Sequence, residues 1–226
     1  MALRFTSAFQ RLDEALSAPI FGLSLPDCVE KVLAYPDGEL FLGQKSLLPT
    51  LCTVFGIAQY ALWPAPVAAS GFATSAVCFV AMIFGKRSLP RARPRPETVA
   101  LGARSAAAKY ARTVYASDHP QYERTSFPSG GACMAMAFGS FWARYTGVGH
   151  FYAIPVLASF CRVYFCCHWV GDTIAGALLA FTLVAGIDRA AGGLGNITFS
   201  SPLFVAPTLL AAALLLGKPK RARRVD

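Results

Sequence analysis

The chain has 226 residues, 55% of them hydrophobic and only 15% charged, with a mean hydropathy of +0.47. That is too apolar for an ordinary soluble domain and predicts a polytopic membrane protein. The net charge of +9 points to anionic lipid headgroups rather than nucleic acid, because the basic residues flank apolar stretches and no nucleic-acid module is present.

Residues 1–17 read as an amphipathic helix, either lying in the membrane interface or packed on the bundle as a surface helix, with Phe5, Phe9, Leu12 and Leu16 on one face and Arg11, Asp13 and Glu14 off it. Residues 18–45 form a polar lead-in with at most a short helix. The first apolar span covers 46–63 and turns at Trp63-Pro64-Ala65-Pro66; the second covers 67–85 and ends at Gly85-Lys86. A basic loop follows to Pro128, with an Ala-rich helix expected over 97–114. Further spans are expected at 129–143, 149–167, 169–187 and 199–217, and the chain ends in a basic tail, 218–226. The domain plan is therefore an N-terminal interfacial and polar segment (1–45), an all-α six-span bundle (46–217) with the loop 86–128, and the tail. The seven Cys include no CxxC pair, and six lie in or beside apolar stretches. They read as small buried hydrophobes, not as a disulfide framework or a zinc site.

Threading six spans through a bilayer puts the N-terminal segment, the 86–128 loop, the 162–172 junction and the tail on one face. Every Lys and Arg falls there except Arg144 and Arg189. The positive-inside rule makes that face cytoplasmic. An intracellular membrane such as the endoplasmic reticulum is expected.

Three segments converge on this face. The stretch from Phe160 to Asp172 puts Arg162, His168 and Asp172 into otherwise apolar sequence, and ionisable groups there are functional candidates by default. If His168 opens a helix, Asp172 lies one turn on along the same face, where a carboxylate can hold the far nitrogen of the imidazole and fix its tautomer. Arg162 offers a planar fork of donors to an anion. Phe127-Pro128-Ser129-Gly130-Gly131 places Ser129 to cap the third span, and a helix N-terminus with free N–H groups, a hydroxyl and two glycines makes an anion cradle. Lys86 and Arg93, in Lys86-Arg87-Ser88-Leu89-Pro90-Arg91-Ala92-Arg93-Pro94, bring further positive charge. A tetrahedral phosphate needs such a set of donors and cations.

These motifs resemble those of the type 2 phosphatidic acid phosphatase and vanadium haloperoxidase superfamily. Its first motif, Lys, six residues, Arg-Pro, is matched by Lys86, Arg93 and Pro94. The second, Pro-Ser-Gly-His, is matched at Pro128, Ser129 and Gly130. The third, Ser-Arg, five residues, His, three residues, Asp, is matched at Arg162, His168 and Asp172. The resemblance covers about residues 46–190. Its Ser-Phe-Pro-Ser-Gly wording is most similar to the small phospholipid and polyisoprenoid-diphosphate phosphatases.

What the resemblance implies is a membrane lipid phosphate or isoprenoid diphosphate phosphatase. His168 would attack phosphorus and Asp172 would orient it. Lys86, Arg93, Ser129, Gly130 and Arg162 would hold the phosphoryl oxygens, with no metal and no cofactor. The partners implied are the lipid phosphate or diphosphate substrate and membrane lipids, not nucleic acid, and a homo-oligomer is compatible. Cys161 stands where the family has Ser. Gly131 stands where it has the His that, in the family, protonates the leaving oxygen. His119, ten residues before Ser129 and on the same face, is the candidate surrogate acid. The alternative function is a non-catalytic relative that binds anionic lipid or a partner protein through the retained cradle.

Overall fold

The computed structural model describes residues 7–34, 64–94 and 125–216. The expected span 46–63, the Ala-rich helix 97–114, His119 and the tail 218–226 lie outside them. Among the described residues every regular element is helical, without strands. The elements are α1 (Ser7–Phe21), α2 (Asp27–Ala34), α3 (Ala65–Ser88), α4 (Gly130–Thr146), α5 (Ala153–Tyr164), α6 (Val170–Ala190) and α7 (Pro202–Leu216). Helices α3 and α6, of 24 and 21 residues, are long and apolar enough to cross a membrane.

Local sequence accounts for the boundaries. Helix α3 starts behind Pro64 with Pro66 in its first turn and ends on Lys86 and Arg87, a cationic end that suits the C-terminal dipole. It runs beyond the expected 67–85, so Lys86 is part of the helix. Ser129 caps α4, its Oγ accepting from the Ala132 amide at 3.4 Å, and Gly147 closes it at φ 75°. The expected fourth span 149–167 is instead broken. A 3-10 turn over Gly149–Tyr152 leads into α5, and α5 stops at Tyr164.

That stop is a left-handed cap. Cys166 has φ 56°. Its amide donates to Val163 O at 2.9 Å, and the Cys167 amide donates to Arg162 O at 3.0 Å. This is the double hydrogen bond of a Schellman motif with Cys where glycine is usual. The chain reverses there, and the His168 amide joins the same Arg162 carbonyl at 3.2 Å.

Helix α4 is central, packed on α3, α5 and most extensively on α6, while α7 lies against α3. The core between them holds Cys78, Met82, Ile83, Cys133, Phe141, Trp142, Val184 and Ile197. Gly176 lets α6 approach α4 closely, since a Cβ there would run into the Ser129 carbonyl. At the far end Arg144 pairs with Asp188 at 3.2 Å, joining two turns that the threading puts on one face.

Helix α1 turns the expected way round only in part. Leu12 and Leu16 share an outward face, 59% and 51% exposed, while Asp13, Ser17 and Phe21 are buried. A helical wheel finds the two faces of such a helix but not which of them meets protein. In a membrane setting the apolar face can meet lipid, and the polar groups find buried partners on the bundle.

Candidate active site

The three sequence motifs meet at one end of the bundle, where α3 ends and α4 and α6 begin. His168 does not itself open α6. It stands one residue before the N-cap, Trp169, in the turn made by the left-handed cap at Cys166. Its ring is buried, with Nδ1 3.6 Å from Asp172 Oδ2 and Nε2 3.5 Å from Arg93 Nη1. Nδ1 has no hydrogen-bond partner within range, so a shift of a few tenths of an ångström toward Asp172 would complete that bond. Burial pushes the imidazole down from 6.5 to about 3, the Arg93 and Lys86 charges act in the same direction, and Asp172 opposes them. At neutral pH the ring is uncharged and keeps a lone pair.

Asp172 is fully buried and densely bonded. Oδ1 accepts from Arg91 Nη1 at 2.7 Å. Oδ2 accepts from the Trp169 amide at 2.9 Å and from the Ser126 hydroxyl. The bond to Trp169 is half of a capping box, so one carboxylate both starts α6 and faces His168. Its carbonyl accepts from the Ser129 amide at 2.9 Å, tying the heads of α4 and α6 together.

The cations surround this pair. Lys86 is buried and donates to Thr125 O at 2.9 Å. Arg93 Nη1 donates to Cys167 O at 2.8 Å. Arg162 reaches back over the first turn of α4, where Ser129 and Gly130 present the helix N-terminus. A Cβ built on Gly131 would lie 2.5 Å from Arg162 Nε and 3.0 Å from its Cζ. The space a side chain at 131 would need is thus taken by the guanidinium.

All of Lys86, Arg93, Ser129, Gly130, Arg162, His168 and Asp172 are therefore gathered at this end of the bundle. Three participants were not singled out by sequence reasoning: Arg91, Ser126 and Asp13. Arg91 is buried and pairs with Asp13 at 2.6 Å and Asp172 at 2.7 Å. In sequence it is one more basic residue of a basic loop. Ser126 had a usable signal, since it opens the Ser-Phe-Pro-Ser-Gly run beside the second motif. Asp13 had none, because its partners lie 78 or more residues away.

The arrangement offers a neutral imidazole with a carboxylate facing one nitrogen and the Arg93 guanidinium at the other, and with Lys86, Arg162 and the α4 N-terminus at the same end of the bundle. That suits nucleophilic attack on an anionic phosphorus centre. No curated protein matches the chain. Among solved structures the fold is similar to that of a transmembrane PAP2-type phosphatidylglycerolphosphate phosphatase from Bacillus subtilis. The TM-score is 0.51 and the identity 24%, over 82% of this chain and 88% of that one. This likeness concerns the fold. The PAP2 superfamily model matches residues 63–191, more than half of the chain and all three motifs, and the chain therefore belongs to the PAP2 superfamily.

Proposed function

We propose that this protein is a membrane phosphatase acting on a lipid phosphate or isoprenoid diphosphate through a phosphohistidine. The observation that carries the reading is the buried imidazole of His168 held between Asp172 at 3.6 Å and Arg93 at 3.5 Å.

In the first step the Nε2 lone pair of His168 forms the N–P bond. The bond from phosphorus to the leaving oxygen breaks, and its electron pair leaves with that oxygen. The Nδ1 proton stays on the ring, and the Asp172 charge stabilises the cation that develops. Lys86, Arg93, Arg162 and the α4 N-terminus hold the phosphoryl oxygens and supply the positive charge the transition state requires. In the second step water attacks phosphorus, the N–P bond breaks and its pair returns to Nε2. One water proton stays on the released phosphate and the other reaches the departed oxygen.

Gly131 sharpens the substrate class. With no imidazole at that position, an alcohol must leave as an alkoxide of pKa ~16 unless something else protonates it. A phosphate monoester leaves as a far weaker base, with a second pKa near ~6. Diphosphates are accordingly the preferred substrates.

The test is phosphate release by purified protein in lipid nanodiscs, on one chain length presented as mono- and diphosphate. His168→Ala and Asp172→Asn serve as folded controls. The wild type should favour the diphosphate, and His168→Ala should lose ~10³-fold or more. Wild-type turnover by His168→Ala would remove the mechanism. A wild type that binds anionic lipid but releases no phosphate would favour the non-catalytic alternative, for which the filled space beside Gly131 is the supporting feature.

A further inference from the structure

Helix α1 does more than lie against the bundle. Asp13 Oδ2 accepts from Arg91 Nη1 at 2.6 Å, and Asp13 Oδ1 accepts from the Gly171 amide at 2.7 Å. One turn on, Ser17 Oγ accepts from the Val170 amide at 3.0 Å. Gln10 Oε1 accepts from Arg91 Nε at 3.1 Å and Nη2 at 2.8 Å. The Arg91 guanidinium lies 5.3 Å from the Phe9 ring centre and 5.4 Å from that of Trp169. Two amides in the first turn of α6 are thus capped by side chains of another helix, while Trp169 itself supplies no side-chain cap. Arg91 is shared between α1 and Asp172.

We propose that Asp13 is a positioning residue of the phosphatase site. It neutralises Arg91 and fixes the head of α6, so that the Asp172 carboxylate keeps its charge for His168. The proposal rests on the phosphatase reading above. Its physical basis is a balance of buried charges. Asp13 and Arg91 form a neutral pair within hydrogen-bond distance, 3% exposed on each side. Shared with Asp13, Arg91 offsets only part of the Asp172 charge, and the remainder faces His168. Without the Asp13 charge, Arg91 would spend its full charge on Asp172, at low dielectric where such a change is felt strongly. The imidazolium that develops as His168 bonds phosphorus would lose its counter-charge. Lys86 and Arg93 donate to the Thr125 and Cys167 carbonyls and Arg162 lies over Gly131, whereas Asp13 reaches the site through Arg91 and the Gly171 amide, so substrate binding should change little.

The experiment compares Asp13→Asn, Ser17→Ala and Asp13→Asn combined with Arg91→Gln in the full-length protein in nanodiscs. Asn has the size of Asp and keeps an oxygen for the Gly171 amide, but it removes the charge. Ser17→Ala removes a cap and no charge. Expected is a fall in kcat of ~10-fold or more for Asp13→Asn with KM within ~3-fold, and a change in kcat within ~3-fold for Ser17→Ala. Adding Arg91→Gln removes the unbalanced cation and should recover part of the kcat lost in Asp13→Asn. A purely structural role predicts the reverse: a double variant worse than the single, and losses that follow the folded fraction. Either result overturns the proposal. Orthovanadate affinity, read by calorimetry, should stay within ~3-fold of wild type in Asp13→Asn and Ser17→Ala, because the clamp is untouched; a ~10-fold loss in Asp13→Asn would make Asp13 a binding residue and overturn the proposal. If the wild type releases no phosphate from any substrate, the phosphatase reading falls and the proposal with it. If the wild type is active and Asp13→Asn keeps its kcat within ~3-fold, the proposal alone falls.

Discussion

Placing a histidine at position 131 tests whether the missing acid, rather than the rest of the site, limits monoester cleavage. Two effects oppose each other. A well-placed imidazole that protonates the leaving oxygen is worth ~10²–10⁴-fold. Any Cβ at 131, however, would stand 2.5 Å from Arg162 Nε, so Arg162 must move. Losing a charge-assisted hydrogen bond to the phosphoryl group costs about 1.5–3 kcal/mol, or roughly 10- to 150-fold. Gly131→Ala isolates the second effect, because it displaces Arg162 and adds no acid. It should lower kcat/KM by roughly 10- to 150-fold on mono- and diphosphate alike. Gly131→His should recover monophosphatase activity above Gly131→Ala by ~10²-fold or more, and diphosphatase activity much less. The assay is kcat/KM on both substrates of one chain length for wild type, Ala and His. Equal ratios of mono- to diphosphatase activity in all three would refute the acid argument. Wild-type rates in Gly131→Ala would refute the place given to Arg162.

Folding should report the buried state of His168. Its ring protonates near pH 3 in the folded protein and near 6.5 unfolded. Its contribution is therefore present above pH 6.5 and is lost as pH falls toward 3, at about 1.4 kcal/mol per pH unit. Melting curves should show wild type losing more stability than His168→Gln between pH 6.5 and 4; parallel losses would contradict the burial. At Cys166, φ 56° excludes β-branched side chains, so Cys166→Val should cost ~2 kcal/mol or more in chemical denaturation, well beyond Cys166→Gly. The expectation that the site face is cytoplasmic is checked with Cys28, which is exposed on α2. In a Cys52→Ser background, an impermeant maleimide should reach it only from the cytoplasmic side of sealed vesicles, and labelling from the opposite side alone would reverse the topology.

Much of this protein is legible in its sequence, for reasons that are local. Apolar runs of membrane length mark α3 and α6, and Ser129 ahead of a small-residue helix marks a capped N-terminus. Arg162, His168 and Asp172 stand out because ionisable groups are costly in apolar sequence. The tertiary structure decided what depends on long-range partners. A carboxylate on a helical wheel is simply polar, so Asp13 is assigned outward until Arg91 and the Gly171 amide are brought to it. Arg91 is one of many basic residues until burial between two carboxylates distinguishes it. The end of α5 at Tyr164 is hidden because Cys, not Gly, takes the left-handed position. Gly131 reads in sequence as the loss of an acid, whereas in space it is a position filled by Arg162, since the packing of a side chain from another helix has no signature along the chain.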